Sequence, residues 1–252
     1  MLTYSERTQD NAFALAQKHI ATHTSRMHKQ MTFYFTHLLI PLHILICDST
    51  HLLDLTLNIL KHLSELCKED LTSINTLILE KLDSSVPLIQ EIGKYLILSG
   101  GKRLRPLLTT SCFHILNNES ANKLNHIGLA AAVEFIHAAT LLHDDVVDLS
   151  KDRRGNLTAN EVWGNKTSVL VGDFLFSRSF QLMTKYGTIE TLKILSDTSV
   201  IISEGEVLEI SNDKNLEMNQ DTYFQVINGK TASLFSAACP VSYTHLTLPT
   251  KA

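Results

Sequence analysis

Residues 122–149 limit most strongly how this chain can fold, because they are apolar around most of a helical circumference yet end in three carboxylates. A helix that is hydrophobic on all sides is buried by its neighbours, so these residues predict a central helix. The carboxylates are Asp144, Asp145 and Asp148. Asp144 and Asp148 are four residues apart, which places both on one helix face about one turn apart. We expect Asp145 to point elsewhere and to support the other two.

Carboxylates at the end of so apolar a helix are costly to bury unless cations neutralise them. Oxygen ligands on a rigid element suit Mg²⁺, which completes its shell with water and substrate phosphates. An EF-hand calcium loop is excluded, because Val146 occupies a ligand position and no glycine follows at the turn. The competing interpretation of this motif is a solvated acidic helix end.

Glycine and proline are scarce, with 10 and 5 in 252 residues, which favours long helices over a turn-rich β architecture. Apolar residues at three- and four-residue steps predict one amphipathic helix from Leu77 to Ile97, ended by the glycines at 100 and 101. Further helices are predicted from Arg105-Pro106, near Thr158–Trp163, and over residues 166–186, 188–210 and 219–238, with a loop at Arg153–Asn156. The sequence therefore predicts an all-α bundle with short connections.

The net charge of −4 gives no indication of nucleic-acid binding or of general affinity for anionic membranes. The cysteines are scattered, and no C-x-x-C pair occurs among Cys47, Cys67, Cys112 and Cys239. Isolated thiols of this kind indicate a reducing compartment, so we expect a cytoplasmic protein. The apolar segment Met31–Cys47 is interrupted by polar residues and proline and is too short to cross a bilayer, which favours a buried or interfacial helix.

Three basic clusters accompany the carboxylates. Lys102, Arg103 and Arg105 follow two glycines at a helix start, where backbone N–H groups also favour anions. The others are Arg153-Arg154 and Lys230-Thr231. Arginine and lysine are the usual ligands of diphosphates. Any one cluster alone is more often a solvated surface patch, but with the carboxylates they are what two diphosphate substrates need.

These segments, in this order and spacing, resemble the trans-isoprenyl diphosphate synthases. The segments that carry the resemblance are Gly100–Pro106, Glu134–His137, Leu141–Asp148, Arg153–Gly155, Gly164-Asn165, Val171–Phe174, Glu204–Glu206 and Gly229–Ala232. The resemblance covers residues 66–239 and is strongest to the long-chain octaprenyl, solanesyl and decaprenyl diphosphate synthases. Residues 1–65 form an N-terminal extension outside it.

The resemblance implies an isoprenoid-synthase fold, in which antiparallel helices surround a central active-site cavity. It implies a Mg²⁺-dependent prenyltransferase that condenses isopentenyl diphosphate with an allylic diphosphate. The product would be a long-chain all-trans polyprenyl diphosphate, used for a quinone side chain such as that of ubiquinone. Members of the family are generally homodimers, and the apolar product suggests peripheral membrane association.

The resemblance also implies residue roles. Asp144 and Asp148 match the Mg²⁺ ligands, and with Lys230 they form the expected catalytic set. The expected ligands of isopentenyl diphosphate are Lys102, Arg105, His137 and Arg154. The expected ligands of the allylic diphosphate are Arg153, Lys230 and Thr231. Product length is expected to depend on the small residues Ala139 and Thr140, with Phe135 further down the helix as the floor of the tunnel.

One family feature does not occur in this sequence. The family has a second aspartate-rich motif on a later helix, but no paired aspartates follow Lys230. Residues 240–252 break the helical pattern and resemble a translated sequencing-adaptor tail. We therefore expect a synthase domain that is incomplete at residue 239 and a non-native tail after it. We expect the 252-residue chain to be poorly stable and nearly inactive, and its full-length parent to be active.

Two other functions are alternatives to a prenyl synthase. A non-catalytic partner subunit of a prenyl synthase usually loses site residues, whereas Lys102, Arg153 and both outer aspartates are present here. A class I terpene cyclase has the same fold but does not bind isopentenyl diphosphate. The basic residues Arg105 and Arg154 therefore argue against a cyclase.

Overall fold

The computed structural model describes residues 51–116, 123–213, 215 and 217–242. The helices are α1 (His51–Leu66), α2 (Lys68–Lys81), α3 (Pro87–Leu98), α4 (Leu104–Leu116), α5 (Lys123–Val147), α6 (Ala159–Trp163), α7 (Asn165–Tyr186), α8 (Ile189–Ser211), α9 (Gln220–Ile227) and α10 (Ser233–Ala238). A π-helical turn, Asn228–Ala232, joins α9 to α10, and a 3₁₀ turn, Pro240–Ser242, follows α10. The described strands are β1 (Asp152–Arg153) and β2 (Asn156–Leu157). The fold is all-α, as predicted.

The described residues divide into two compact units. The larger unit contains residues 66–199 and residues 237–242, and the smaller unit contains residues 51–65 and 200–236. The N-terminal extension before residue 51, the predicted helix at 31–47, the predicted break at 117–120 and most of the predicted tail lie outside the described residues.

Helix α5 is the centre of the larger unit. It packs against α2, α4, α6 and α7, and also against the 3₁₀ turn. Its side chains from Leu129 to Val133 are completely buried, as are Phe135 and Leu142. Among the described residues, Leu124–Val147 is the one stretch long and apolar enough to cross a membrane, but most of it is buried inside the structure. The predicted central helix is confirmed.

The prediction of one helix from Leu77 to Ile97 is wrong. Helix α2 ends at Lys81, and α3 begins at Pro87, so the chain leaves the helix between them. Proline lacks an N–H group and suits the first helical position, and it forces the preceding residue out of the helical region. Val86 is accordingly extended, with φ −104° and ψ 105°. The apolar periodicity persists across the break because Leu82 is buried against Gly93 of α3.

The loop predicted at Arg153–Asn156 is a tight antiparallel hairpin. Asp152 pairs with Leu157 and Arg153 pairs with Asn156. The two central residues, Arg154 and Gly155, have φ values of 56° and 80°. Positive φ at both positions gives a turn whose twist matches that of the two strands. The hairpin therefore fixes the direction in which the two adjacent arginines leave the backbone.

The helix predicted at 219–238 is present with one irregularity. Asn219 caps its start, since its side-chain Oδ1 accepts a hydrogen bond of 2.8 Å from the N–H of Thr222. The π-helical turn then inserts one residue into the helical ladder. Such turns are rare and occur frequently at functional sites. Here the turn contains the Gly229-Lys230-Thr231 segment that the sequence marks as basic.

Candidate active site

The outer aspartates of the acidic motif lie at the C-terminal end of α5. The N–H of Asp148 donates a 2.8 Å hydrogen bond to the carbonyl of Asp144, so the helical turn continues one residue beyond Val147. Their side chains therefore leave the same face about one turn apart. The Asp144 side chain is 16% exposed, and Asp148 is exposed at the helix end. Two carboxylates thus face the same region of the larger unit.

Asp145 is turned away from that face into the protein. Its side chain is 1% exposed and lies 2.6 Å from Nη2 of Arg153. Nε of Arg153 donates to both carboxylate oxygens at 3.1 Å. This hydrogen bonding is the main reason that the pKa of Arg153 is raised above its ordinary value. Nη2 of Arg153 is also 3.9 Å from Oδ2 of Asp144, so Asp145 holds a cation beside the outer carboxylates.

Further hydrogen bonds attach the hairpin to the end of α5. The N–H of Ser150 donates to the carbonyl of Asp145 at 3.0 Å. The carbonyl of Ser150 accepts from Oγ1 of Thr158 at 2.7 Å and from Nδ2 of Asn160 at 3.2 Å. Arg153 is thus positioned by the backbone as well as by its carboxylate partner. No local sequence pattern marks Ser150, Thr158 or Asn160 for this role.

His137 lies two helical turns before Asp144 on α5, and positive charge surrounds it. Burial, together with the charges of Arg105, Arg154, Arg153 and Arg103, lowers its pKa to about 3. Burial also lowers the pKa of Arg105 to about 10, against the favourable charge of Glu134. The larger unit therefore brings together His137, Arg105, Arg153 and Arg154, which the sequence predicts as diphosphate ligands. Arg105 and Arg153 are half-buried and Arg154 is exposed, so this concentration of positive charge is open to a multivalent anion.

The Arg103 side chain is held by hydrogen bonds to other residues of the protein. Its guanidinium donates to Oε1 of Glu134 at 2.8 Å, to Oδ1 of Asn75 at 3.1 Å and to the carbonyl of Ile97 at 2.9 Å. These bonds connect α2, α3 and α5 to the start of α4. Arg103 thus supports the basic turn, and its neighbours Lys102 and Arg105 remain the predicted ligands. Lys102 is exposed in this turn.

Strained backbone flanks the site. Arg103, Leu149 and Arg154 have φ values of 48°, 51° and 56° without being glycines. Residues held in this left-handed region cost on the order of 1 kcal/mol or more and cluster at functional sites. Gly101 makes room for the arginines, since a Cβ atom there would lie 3.2 Å from Nη1 of Arg154. A side chain at Gly101 would therefore require the ends of Arg154 and Arg103 to shift slightly.

Lys230 and Thr231 belong to the smaller unit. Nζ of Lys230 lies 2.7 Å from Oε2 of Glu209 and 3.1 Å from Oε2 of Glu206 on α8. Gly205 and Gly229 let α8 and the π-helical turn approach closely, because a Cβ atom at Gly205 would lie 2.7 Å from the backbone N of Lys230. The contact of Lys230 and Thr231 with an allylic diphosphate remains a prediction.

A sequence profile described as polyprenyl synthetase matches residues 86–251. The chain belongs to the polyprenyl synthetase family. It is 44% identical over 183 residues to octaprenyl diphosphate synthase of Escherichia coli (strain K12), covering 73% of this chain and 56% of that protein. It is 40% identical over 171 residues to all-trans-nonaprenyl-diphosphate synthase (geranyl-diphosphate specific) of Rhodobacter capsulatus, covering 68% of this chain and 52% of that protein.

Solved structures of polyprenyl synthetases share the fold. A decaprenyl diphosphate synthase from Rhodobacter capsulatus matches with a TM-score of 0.69 and 50% identity over 73% of this chain and 56% of that one. A polyprenyl synthase from Caulobacter crescentus CB15, complexed with calcium and isoprenyl diphosphate, matches with a TM-score of 0.69 and 44% identity. That match covers 73% of this chain and 55% of the Caulobacter chain. This chain spans about half the length of the curated relatives it matches.

Polyprenyl synthetases are typically metal-dependent, and the residues here fit a hard divalent cation. Asp144 and Asp148 provide oxygen donors one helical turn apart, and the Asp144 carboxylate retains some solvent exposure. Mg²⁺ binds proteins through one or two carboxylates and keeps positions for water and phosphate oxygens. Asp145 is engaged by Arg153, which leaves the two outer aspartates as the donor set.

The residues expected to control product length lie along α5. Phe135 and Ala139 are completely buried. Thr140 is partly buried, and its Oγ1 donates to the carbonyl of His137 at 2.8 Å. This bond satisfies the hydroxyl within its own helix. Thr140 is also a small side chain. Their effect on product length remains a prediction.

Proposed function

We propose that this protein is a Mg²⁺-dependent prenyltransferase that condenses isopentenyl diphosphate with an allylic diphosphate to make a long-chain all-trans polyprenyl diphosphate. One observation carries the proposal. The carboxylates Asp144 and Asp148 lie at the C-terminal end of α5, and four arginines from neighbouring segments of the larger unit place positive charge around His137 of the same helix. Carboxylates with a metal ion suit one diphosphate, and cationic side chains without a metal suit a second.

Asp144 and Asp148 would hold Mg²⁺, which supplies positive charge for the diphosphate that departs from the allylic substrate. Arg153, held in place by Asp145, donates hydrogen bonds to the same diphosphate, together with Lys230 and Thr231. These donors stabilise the negative charge that develops as the allylic C–O bond breaks. Asp145 has no contact with substrate in this scheme and acts by positioning Arg153.

Lys102, Arg105, His137 and Arg154 would bind the diphosphate of isopentenyl diphosphate. Because the pKa of His137 is lowered to about 3, its imidazole is neutral at physiological pH and donates a hydrogen bond without adding charge. The C=C electrons of the bound isopentenyl group form the new C–C bond to the allylic cation. The resulting cation loses a proton to the released diphosphate, and the product is one C5 unit longer.

Octaprenyl, nonaprenyl and decaprenyl synthases among the relatives support a long product. The small side chains of Ala139 and Thr140 are proposed to admit a growing chain beside α5, and Phe135 is the proposed floor. A quinone side chain is the proposed use of the product. We also propose a cytoplasmic homodimer that meets the membrane through its apolar product.

The test is a condensation assay with isopentenyl diphosphate and a short allylic primer, with and without Mg²⁺. It compares the 252-residue chain with the protein read in frame beyond Cys239, and the extended protein is expected to make long-chain products only with Mg²⁺. Asp144→Asn is expected to lower its rate on the order of 10²-fold, because a transition-state contact is lost. Asp197→Asn, an exposed aspartate on α8, is the matched control.

Two outcomes contradict the proposal. Conversion of the primer to a cyclic hydrocarbon without consumption of isopentenyl diphosphate indicates a terpene cyclase. Absence of turnover by the extended protein, with stimulation of a separately added synthase, indicates a non-catalytic subunit.

A further inference from the structure

Three metal-ligating side chains from three helices of the larger unit meet far from the acidic motif. Oδ2 of Asp70 on α2 lies 2.5 Å from Nε2 of His114 on α4 and 3.1 Å from Nε2 of His126 on α5. One donor atom of each residue lies within 4.8 Å of the other two. His126 precedes Asp144 by eighteen residues on the same helix, which at 1.5 Å per residue is about 27 Å. The cluster is therefore separate from the candidate active site.

The His126 side chain has unmet hydrogen-bonding capacity. It is 0% exposed, and its ring stacks on Phe113 with centroids 3.8 Å apart and 14° between the planes. Stacking fixes the ring plane and directs the ring edge, which carries the nitrogens, toward neighbouring groups. Within the described residues neither ring nitrogen makes a hydrogen bond of acceptable geometry, although Nε2 lies 3.1 Å from Oδ2 of Asp70. A buried polar group left in this way costs free energy, and a bound ion is one partner that would satisfy it.

The donor set favours one class of cation. Two imidazole nitrogens and one carboxylate oxygen are typical zinc ligands, whereas Mg²⁺ prefers oxygen alone. Metal–ligand bonds of 2.0–2.2 Å in a tetrahedral shell place the donors about 3.3 Å apart. The separation between Asp70 and His126 already approaches this value. The separation between Asp70 and His114 would widen by about 0.8 Å, which requires the His114 side chain, 46% of it exposed, to move by that amount.

We propose that Asp70, His114 and His126 form a Zn²⁺ site that joins α2, α4 and α5. Water on the exposed side of His114 would supply the fourth ligand, as at zinc sites with three protein ligands. A site built from three helices exists only in the folded protein, so bound Zn²⁺ stabilises the fold.

The test is a Zn²⁺ titration of the metal-free 252-residue chain, without Mg²⁺ or diphosphate, followed by calorimetry and thermal unfolding. Wild type is expected to bind one Zn²⁺ that raises the unfolding midpoint by roughly 5 °C or more at saturation. Co²⁺ in place of Zn²⁺ is expected to give the visible absorption of a tetrahedral nitrogen–oxygen site. His114→Gln and Asp70→Asn are expected to lose this one site and its spectrum.

The chain contains 12 histidines, so weak surface binding is subtracted with a control. His62→Gln, an exposed histidine on α1, is expected to behave as wild type. His114→Gln changes an exposed side chain and is expected to keep the wild-type midpoint in chelator. The proposal is overturned if Zn²⁺ binding is equal in wild type and His114→Gln. It is also overturned if Asp70→Asn lowers the midpoint equally with and without Zn²⁺, since the cluster is then an ion pair. Neither outcome bears on prenyl transfer.

Discussion

Neighbouring aspartates of one motif have different environments here. Asp144 is directed to the face it shares with Asp148, whereas Asp145 is buried and holds Arg153 through three hydrogen bonds. Helix geometry explains the difference, since adjacent residues point about 100° apart. Asp145 is therefore expected to influence both the stability of the hairpin and the position of a substrate-binding cation.

Asp145→Asn tests this positioning role. The substitution leaves the Arg153 guanidinium beside a neutral amide, so we expect the free energy of unfolding to fall by about 2–3 kcal/mol. Urea unfolding of both proteins measures the change. Asp197→Asn serves as the exposed control and is expected to change the value by less than about 0.5 kcal/mol. Equal effects from the two substitutions would contradict a structural pairing of Asp145 with Arg153.

His137 makes stability depend on pH in a defined direction. Its folded-state pKa of about 3 lies below the ordinary value of 6.5. The unfolded chain therefore binds a proton between these values that the folded protein does not, so stability falls as pH decreases from 6.5 toward 3. The contribution is full above pH 6.5, and its slope reaches at most about 1.4 kcal/mol per pH unit.

We expect His137→Gln to lose less stability on acidification than wild type. The measurement is the urea midpoint at pH 7, 5.5 and 4.5, with His62→Gln as the exposed-histidine control. Other groups titrate in this range, so the informative quantity is the difference between each variant and wild type. If His137→Gln and His62→Gln follow the same pH dependence, His137 is not held neutral by its surroundings.

At the scale of elements, α5 shows what a single sequence can predict. Its boundaries were expected at 122 and 149 and are Lys123 and Val147. Composition is enough to predict this helix because a helix surrounded by other helices is apolar on every side. The same reasoning fails at α2 and α3, where apolar spacing continues through a break that only Pro87 marks.

The features that could not be predicted from the sequence are contacts between residues that are far apart in the chain. Arg103 and Glu134 are 31 residues apart, and Asp70 and His114 are 44 apart. No periodicity or local motif pairs such residues, because their contact depends on how whole helices pack. The candidate ligands on α5 and the hairpin could be predicted because they belong to short segments. The residues that hold those ligands in place, such as Asn75 and Asn160, could not.

The close approach of α8 to the π-helical turn gives a prediction at this scale. A Cβ atom at Gly205 would lie 2.9 Å from backbone C and Cα of Gly229, and backbone atoms cannot rotate away. We expect Gly205→Ala to reduce the free energy of unfolding by about 1–3 kcal/mol through overpacking. It also moves the turn that carries Lys230 away from Glu206. Val207→Ala, at a position that is 65% exposed, is the control for urea unfolding. Equal midpoints for the two variants would contradict a tight contact.

At the scale of the whole molecule, the candidate site combines charges that are unfavourable without ligands. Burial and the neighbouring arginines lower the pKa of His137, and burial lowers that of Arg105. A bound diphosphate would relieve the repulsion among the cations, and Mg²⁺ would relieve that between the outer aspartates. Each ligand therefore makes the other bind more tightly, since the diphosphate also supplies oxygen ligands to the metal.

This coupling predicts a thermal shift that needs both ligands together. A ligand present at 100 times its dissociation constant stabilises a protein by about 2.7 kcal/mol, which raises the unfolding midpoint by roughly 5–10 °C at this chain length. We expect Mg²⁺ with inorganic diphosphate to give such a shift in wild type, and each ligand alone to give much less. Asp144→Asn is expected to remove the dependence on Mg²⁺ but to retain a small response to diphosphate. Asp197→Asn is the control and should respond as wild type does. A shift that Mg²⁺ alone produces in full, or that Asp144→Asn retains, would place the metal elsewhere in the protein.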